Sequence, residues 1–357
     1  MMKGAQRQRI RVLVVDDSSF MRIALKRMLQ SDPQLEVAGC ARDGQQAIDL
    51  VPALDPDVVT MDVEMPGMSG LEALKLIMSR SPRPVLMVSV ATQQGAQMTL
   101  EALEAGAFDY IPKQPGDRSV DGTGIRRDLI AKIKAAAASR ARTPSPTGSV
   151  SRHLAVPATG AVVAPALICI GSSTGGPRAL HQILPRLPAD LPAGIVVVQH
   201  MPAGFTGPFA ARLNAMSRVR VKEAEPDDCI DTGKVLIAPA GWHITICRRT
   251  HSQYGVRLSK TPTDRLHMPS VDIMMLSAAE VLRERAMGVI LTGMGNDGEE
   301  GMRAIRETGG YTIGQDEGTC AVYGMPKACA EAGALAKVLP LGDIPGEIVS
   351  VATACCV

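Results

Sequence analysis

Along the first 140 residues, short apolar runs alternate with stretches of helical period. Ile10–Val15, Val37–Ala41, Val58–Met61, Val85–Val88 and Asp109–Ile111 read as strands. Ser19–Leu29, Gly44–Leu54, Leu71–Arg80 and Ala96–Ala105 carry apolar residues at helical spacing, and a last helix is expected over Ile125–Arg140. Five successive βα units predict a parallel sheet with helices on both faces. Ligands then collect at the carboxyl ends of the strands.

The second half alternates in the same way. Leu167–Ile170, Ile195–Gln199, Gly288–Thr292 and Tyr311–Gly314 read as strands. Ala179–Leu187, Phe209–Ser217, Val271–Arg285 and Glu299–Thr308 read as helices. Val219–Val256 has only short strands and turns. The fold class expected is α/β, as two doubly wound parallel-sheet domains. Between them Ala141–Pro165 holds four prolines, with Ser, Thr and Gly, and no acidic residue. Such a segment buries too little apolar surface to offset its ordering entropy, so it reads as a flexible linker. The expected domains span residues 10–138 and 164–354, with the linker over 139–163.

Composition narrows the classes. A chain of 357 residues suits two domains, and 46% hydrophobic against 21% charged residues suits globular cores. A formal charge of +2 and 3% aromatic residues argue against nucleic-acid or anionic-membrane binding. No run approaches the ~18 apolar residues of a membrane span. The basic start (Met1–Arg11) is followed by an apolar run too short for a secretion signal. Eight cysteines without C-x-x-C pairs or metal spacing predict reduced thiols in a cytosolic protein.

Four of the first five strand ends carry chemistry. Asp16 and Asp17 follow the first strand, Asp62 closes the third, Ser89 ends the fourth and Lys113 follows the fifth. Taken singly, Asp16 or Asp17 reads as a helix N-cap, Asp62 as a turn residue and Lys113 as a solvated loop residue. Together, the carboxylates would repel unless a hard cation or a proton intervened, and magnesium suits an oxygen-only site. A hydroxyl and an ammonium at the same edge suit a phosphoryl group on Asp62.

These strings (VLVVDDSSFMR, VVTMDVEMPGMSGLEAL, MVSV and YIPKQP) resemble a response-regulator receiver domain, a flavodoxin-like fold, over Ile10–Arg140. The resemblance implies that Asp62 is the phosphoacceptor. It also implies that Asp16, Asp17 and Asp62 hold Mg2+ with help from the backbone at Glu64. Ser89 would be the switch hydroxyl and Lys113 the phosphate partner. The aromatic switch position falls on Tyr110 or Phe108, with spacing favouring Tyr110.

In the second half Gly171-Ser172-Ser173-Thr174-Gly175-Gly176 lies between a strand and a helix. It matches the G-x-S-x-G nucleophile elbow, and equally a phosphate-cradling turn or a plain flexible loop. His200 closes the next strand, where it reads either as structural or as a general base within reach of Ser173. Asp297 is the best candidate for an acid that orients the imidazole. Gly293-x-Gly295-x-x-Gly298 also spells a dinucleotide motif, with Asp316 about 20 residues on. The motif sits late in its domain, Asp297 stands just before the third glycine, and Asp316 does not cleanly end a second strand. The order Ser173, His200, Asp297 differs from the Ser–acid–His order of α/β-hydrolases, so a different scaffold is expected.

IGSSTGGP, VVVQHMPAGFT, MPSVDIMM and GVILTGMGNDGEEGM resemble the catalytic domain of the chemotaxis protein-glutamate methylesterases, the CheB family. The resemblance implies a Rossmann-like serine esterase domain in which Ser173 is the nucleophile, His200 the base and Asp297 the orienting acid. Thr174 and the backbone near Met294 would form the oxyanion site. His267 would line the substrate groove or serve structure. Ser172 stands where the family more often has alanine, and the helix-proximal Ser173 is favoured as the attacking serine. By this likeness the chain hydrolyses glutamate methyl esters on methyl-accepting chemoreceptors and deamidates receptor glutamines. A chemotaxis histidine kinase supplies the phosphoryl group, the catalytic half needs no cofactor, and nucleic acid and membrane insertion play no part. Two rivals are a DNA-binding output, which would need a basic helix-turn-helix, and a binding module with a relic triad.

Overall fold

The computed structural model describes residues 9–90, 92–113, 122–141, 163–250 and 253–354. Nearly all of the expected linker lies outside the described residues, as do residues 1–8 and Cys355 and Cys356. The chain divides into two compact units, residues 1–146 and 147–357.

The first unit runs β1 (Ile10–Val15), α1 (Ser19–Gln30), β2 (Leu35–Ala41), α2 (Gly44–Leu54), β3 (Val58–Asp62), α3 (Gly70–Arg80), β4 (Val85–Val90), α4 (Gln93–Glu104), β5 (Asp109–Lys113) and α5 (Gly122–Ala141). Its parallel sheet has the order β2-β1-β3-β4-β5. Both faces of the central strands are buried, which explains their unbroken Val, Leu and Met runs. Val12, Val14, Leu86 and Ile111 pack with Leu25 and Leu29 of α1 and Leu129 and Ile133 of α5. Local signals set the helix starts. Ser18 caps α1 through Met21 N, Asp43 caps α2 through Gln46 N, and Ser69 and Glu72 form a reciprocal capping box on α3.

The second unit runs β6 (Leu167–Ser172), α6 (Gly176–Ile183), β7 (Gly194–Gln199), α7 (Thr206–Met216), β8 (Arg220–Glu223), β9 (Cys229–Ile230), β10 (Lys234–Ile237), β11 (His243–Arg248), β12 (Tyr254–Ser259), α8 (Val271–Leu282), β13 (Ala286–Ile290), α9 (Glu299–Glu307), β14 (Tyr311–Gln315), α10 (Met325–Glu331), β15 (Lys337–Leu339) and α11 (Ile344–Ala352). Its main sheet is parallel, ordered β15-β14-β13-β6-β7-β10-β8. β9, β11 and β12 form a small antiparallel sheet. The stretch that reads as short strands and turns is thus shared between both sheets. Strand β11 packs on α8, and Val271, Met274, Met275 and Ala278 join the core there.

Most boundaries shift by one to three residues from the sequence reading, and two shifts have a clear backbone cause. Helix α6 opens at Gly176 rather than Ala179, because left-handed Gly175 (φ 77°) turns the chain and Pro177 fits the first turn. Helix α8 stops at Leu282, where Arg283 takes a positive φ of 52° and a short 3-10 turn follows. The described cysteines are all free thiols. Among the described residues no helix is long and apolar enough to cross a membrane.

Candidate functional site

In a doubly wound sheet a crevice opens where neighbouring strands send their connections in opposite directions. In the first unit that point lies between β1 and β3. Asp16 and Asp17 follow β1 there, and Asp62 ends β3. Carboxylate oxygens of the three lie within 4.8 Å of one another. Lys113 Nζ bridges two of them, 2.6 Å from Asp62 Oδ2 and 2.9 Å from Asp16 Oδ2. Asp16 and Asp62 are buried while Asp17 is exposed, so the cluster opens to solvent on one side.

Burial pushes the Asp62 carboxyl up to about 6, against the pull of the Lys113 hydrogen bond and charge. Burial would lower Lys113, yet its contacts with Asp62 and Asp16 hold it above the ordinary lysine value. One ammonium thus faces three acids, and an oxygen-only cation site fits the remaining charge. Neither Asp16 nor Asp17 caps α1; Ser18 does, and Asp16 Oδ1 accepts from the Ser18 amide at 3.0 Å. The Glu64 amide donates to Asp62 Oδ1 at 3.4 Å. Ser89 is buried at the same strand edge and donates to Gly95 O of α4 at 3.2 Å. Tyr110 is buried on β5, its carbonyl accepting from Lys132 Nζ at 2.8 Å, whereas Phe108 lies just before that strand.

In the second unit the switch point lies between β6 and β13. Ser172 and Ser173 stand at the end of β6, His200 just after β7, and the turn carrying Met294 and Asp297 follows β13. Ser172 is fully buried and donates its hydroxyl to Gln199 Oε1 at 2.7 Å. Ser173 is half-buried. The Gln199 amide nitrogen donates to both Ser173 O (2.9 Å) and His200 O (3.0 Å), so one buried carboxamide ties the two strand ends together. Among the described residues Ser173 Oγ has no hydrogen bond to His200.

His200 Nε2 lies 2.8 Å from Asp297 Oδ2. Its Nδ1 is buried and has no hydrogen-bond partner among the described residues. Asp297 also accepts from Ser270 Oγ (2.8 Å), Val271 N (2.8 Å) and Asp272 N (3.0 Å), and so sits on the amino end of α8. Burial would raise its pKa, but the His200 hydrogen bond and charge, with the helix amides, hold it well below the usual carboxylate range. The His267 ring stacks on His200 with centroids 4.0 Å apart and planes 19° apart.

Thr174 is buried, and its carbonyl accepts from Thr292 Oγ1 at 2.9 Å. Among the described residues the Thr174 and Met294 amides have no backbone acceptor. Gly293 lets the β13 turn approach: a Cβ there would meet Met325 Sδ and the Ser173 side chain. Gly295 and Gly298 take positive φ values of 84° and 105°, and a Cβ on Gly298 would also meet Ile290 and Val271. Close packing and left-handed backbone thus account for the three glycines without a dinucleotide cradle.

Sequence reasoning missed Gln199, His243, Ser270 and Asp272. His243 is buried, accepting the Ser270 amide at Nδ1 (3.2 Å) and meeting Pro262 O through Nε2 (2.9 Å). Gln199 was visible as a lone polar residue ending an apolar strand. Ser270-x-Asp272 before an apolar run was a helix-start signal.

The family described as Response regulator receiver domain matches residues 12–120, and that described as CheB methylesterase matches residues 168–348. A chain that pairs them is a response regulator with an enzymatic output unit. This chain belongs to the CheB methylesterase family: it is 46% identical over 348 residues to a Pyrococcus horikoshii protein named protein-glutamate methylesterase/protein-glutamine glutaminase, covering 96% of this chain and 93% of that one. A Symbiobacterium thermophilum protein of the same name is 46% identical over 351 residues, 95% of this chain and 96% of its own. The crystal structure of the Thermotoga maritima CheB methylesterase catalytic domain is similar over 53% of this chain and all of that one, at 42% identity and a TM-score of 0.51.

Proposed function

We propose that this chain is a phosphorylation-controlled protein-glutamate methylesterase that also deamidates glutamine, acting in the cytoplasm on chemoreceptors. The observation that carries the reading is the 2.8 Å His200–Asp297 pair at the same strand edge as Ser173. Ser173 Oγ attacks the ester carbonyl carbon of a methylated glutamate side chain, and His200 Nδ1 takes its proton. Asp297, held ionised, stabilises the imidazolium. The tetrahedral oxyanion rests on the Thr174 and Met294 amides near the start of α6. The C–O bond to the methoxy group breaks as His200 returns the proton, and methanol leaves. Water, deprotonated by His200, then releases the glutamate carboxylate and restores Ser173. A glutamine side chain follows the same course with ammonia as leaving group.

In the first unit the Asp62 carboxylate accepts a phosphoryl group from a chemotaxis histidine kinase. Asp16, Asp17 and Asp62, with the backbone at Glu64, would hold Mg2+, which supplies positive charge to a phosphoryl group when bound. Lys113 pairs with that group, and Ser89 answers it as the switch hydroxyl. The receiver and output domains are taken as residues 10–138 and 164–354, joined by a linker over 139–163.

The test is methanol release from methylated receptor cytoplasmic fragments, with and without Mg2+ and a small phosphodonor. Ser173→Ala is expected to cut turnover by at least ~10³-fold, the scale of losing a triad nucleophile. Ser172→Ala should keep the chemistry, because that hydroxyl is committed to Gln199. Equal loss in both variants, or an active Ser173→Ala, sinks the assignment. Asp62→Asn should abolish stimulation by the phosphodonor and leave basal release intact.

A further inference from the structure

The two helices behind His200 cap one another with exchanged carboxylates. Asp297, from the turn before α9, accepts two amides at the start of α8. Asp272, in the first turn of α8, accepts Gly298 N and Gly301 N at the start of α9, both at 2.9 Å on one oxygen. Gly298 directly follows Asp297, so the Asp272 carboxylate grips the backbone that presents Asp297 to the imidazole. Asp272 is buried, and among the described residues no basic side chain pairs with it.

Two carboxylates set this close repel each other, and a capping hydrogen bond does not require the second charge. Asparagine at position 272 would offer the same oxygen to the same two amides. What a carboxylate adds is negative charge close to Asp297, in a buried region where charge acts strongly.

We propose that Asp272 is a positioning residue of the hydrolytic site: its carboxylate fixes the Asp297 turn through Gly298 and Gly301, and its charge reinforces Asp297 in stabilising the His200 imidazolium. The inference rests on the reading of Ser173, His200 and Asp297 given above. Burial first, then repulsion from Asp297 and Glu300, pushes the Asp272 carboxyl up to about 6, so its charge is present at neutral pH. The other groups in its field are Asp297 on the turn, Glu300 on α9, and Cys329 on α10, whose thiol burial pushes up to about 12 and keeps neutral. Asp297 in turn pairs with His200, on which His267 stacks.

The experiment compares the full chain with Asp272→Asn and Asp297→Asn, measuring methanol release from pH 5 to 9 in the presence of phosphodonor. The expected result for Asp272→Asn is a folded enzyme with unchanged KM and a kcat lowered roughly tenfold, by analogy with losing a carboxylate that orients a metal-bound histidine. Its acid limb should also move to lower pH than in the unmodified chain, a shift that a merely structural cap would not cause. A folded Asp272→Asn with the original rate and profile, while Asp297→Asn loses activity, overturns the proposal and leaves the triad reading standing. Full activity in Asp297→Asn overturns the triad reading itself. Should Asp272→Asn fail to fold, Asp272→Glu, which keeps the charge, is measured instead: the acid limb is expected where the unmodified chain has it even though the rate falls, and an acid limb moved to lower pH overturns the proposal.

Discussion

At the scale of single residues, neighbouring identical side chains take different fates. Ser172 and Ser173 are adjacent, yet the pleat of β6 turns the first into the core against Gln199 and leaves the second half-open at the strand end. Asp272 and Asp297 diverge through their partners. Asp297 faces an imidazole and three further donors, whereas Asp272 has two amides and a like charge. This makes a stability prediction with a definite sign. A carboxyl raised to about 6 from 3.8 binds its proton more tightly in the folded than in the unfolded state. The folded state therefore gains from protonated Asp272 below pH 4 and loses that gain as pH rises to about 6. Removing the charge should accordingly stabilise the protein at pH 8, by about 1–3 kcal/mol at 1.36 kcal/mol per pKa unit. Urea unfolding of Asp272→Asn should show that gain at pH 8 and little at pH 4. Equal effects at both pH values would contradict the environment described for Asp272.

At the scale of elements, the first site depends on how closely α3 comes to β3. Gly70 opens that helix, donating to Val63 O at 3.0 Å, and a Cβ there would collide with the Asp62 carbonyl oxygen. Backbone, unlike a side-chain tip, cannot rotate aside. Gly70→Ala is expected to cost about 1–3 kcal/mol in overpacking and to slow phosphoryl uptake by displacing Asp62. Denaturant unfolding and phosphodonor labelling measure the two effects, and normal values for both would show that α3 moves freely. The capping box of Ser69 and Glu72 beside it was legible in the sequence, because it depends on residues three apart. The collision distance was not, since it depends on how β3 and α3 lie in space. The same division separates Ser270, a readable helix cap, from its donation to Asp297, 27 residues away.

At the scale of the whole molecule, each unit completes its own sheet and core. The second buries Val196, Val198, Met274, Met275 and Ile290 in a cluster drawn entirely from its own residues, and its strands pair only with one another. A fragment of residues 163–354 is therefore expected to fold alone and to melt in one cooperative transition. A broad, non-cooperative melt of that fragment would mean that its core needs residues from the first half. Both units place their candidate residues at the switch point of a parallel sheet, a crevice built from strand order and independent of any one side chain.

The sequence alone was enough for the two alternating α/β halves, the acidic residues at the strand ends, and the candidates Ser173, His200 and Asp297. These are properties of short windows: apolar period, turn residues and the residue types that chemistry requires. Only the tertiary structure decided which nitrogen of His200 meets Asp297, that Ser172 is tied up by Gln199, and that Asp272 and Asp297 exchange helix ends. Those facts join residues on different elements, and hydrogen-bond partners 26 or more positions apart leave no periodic trace along the chain.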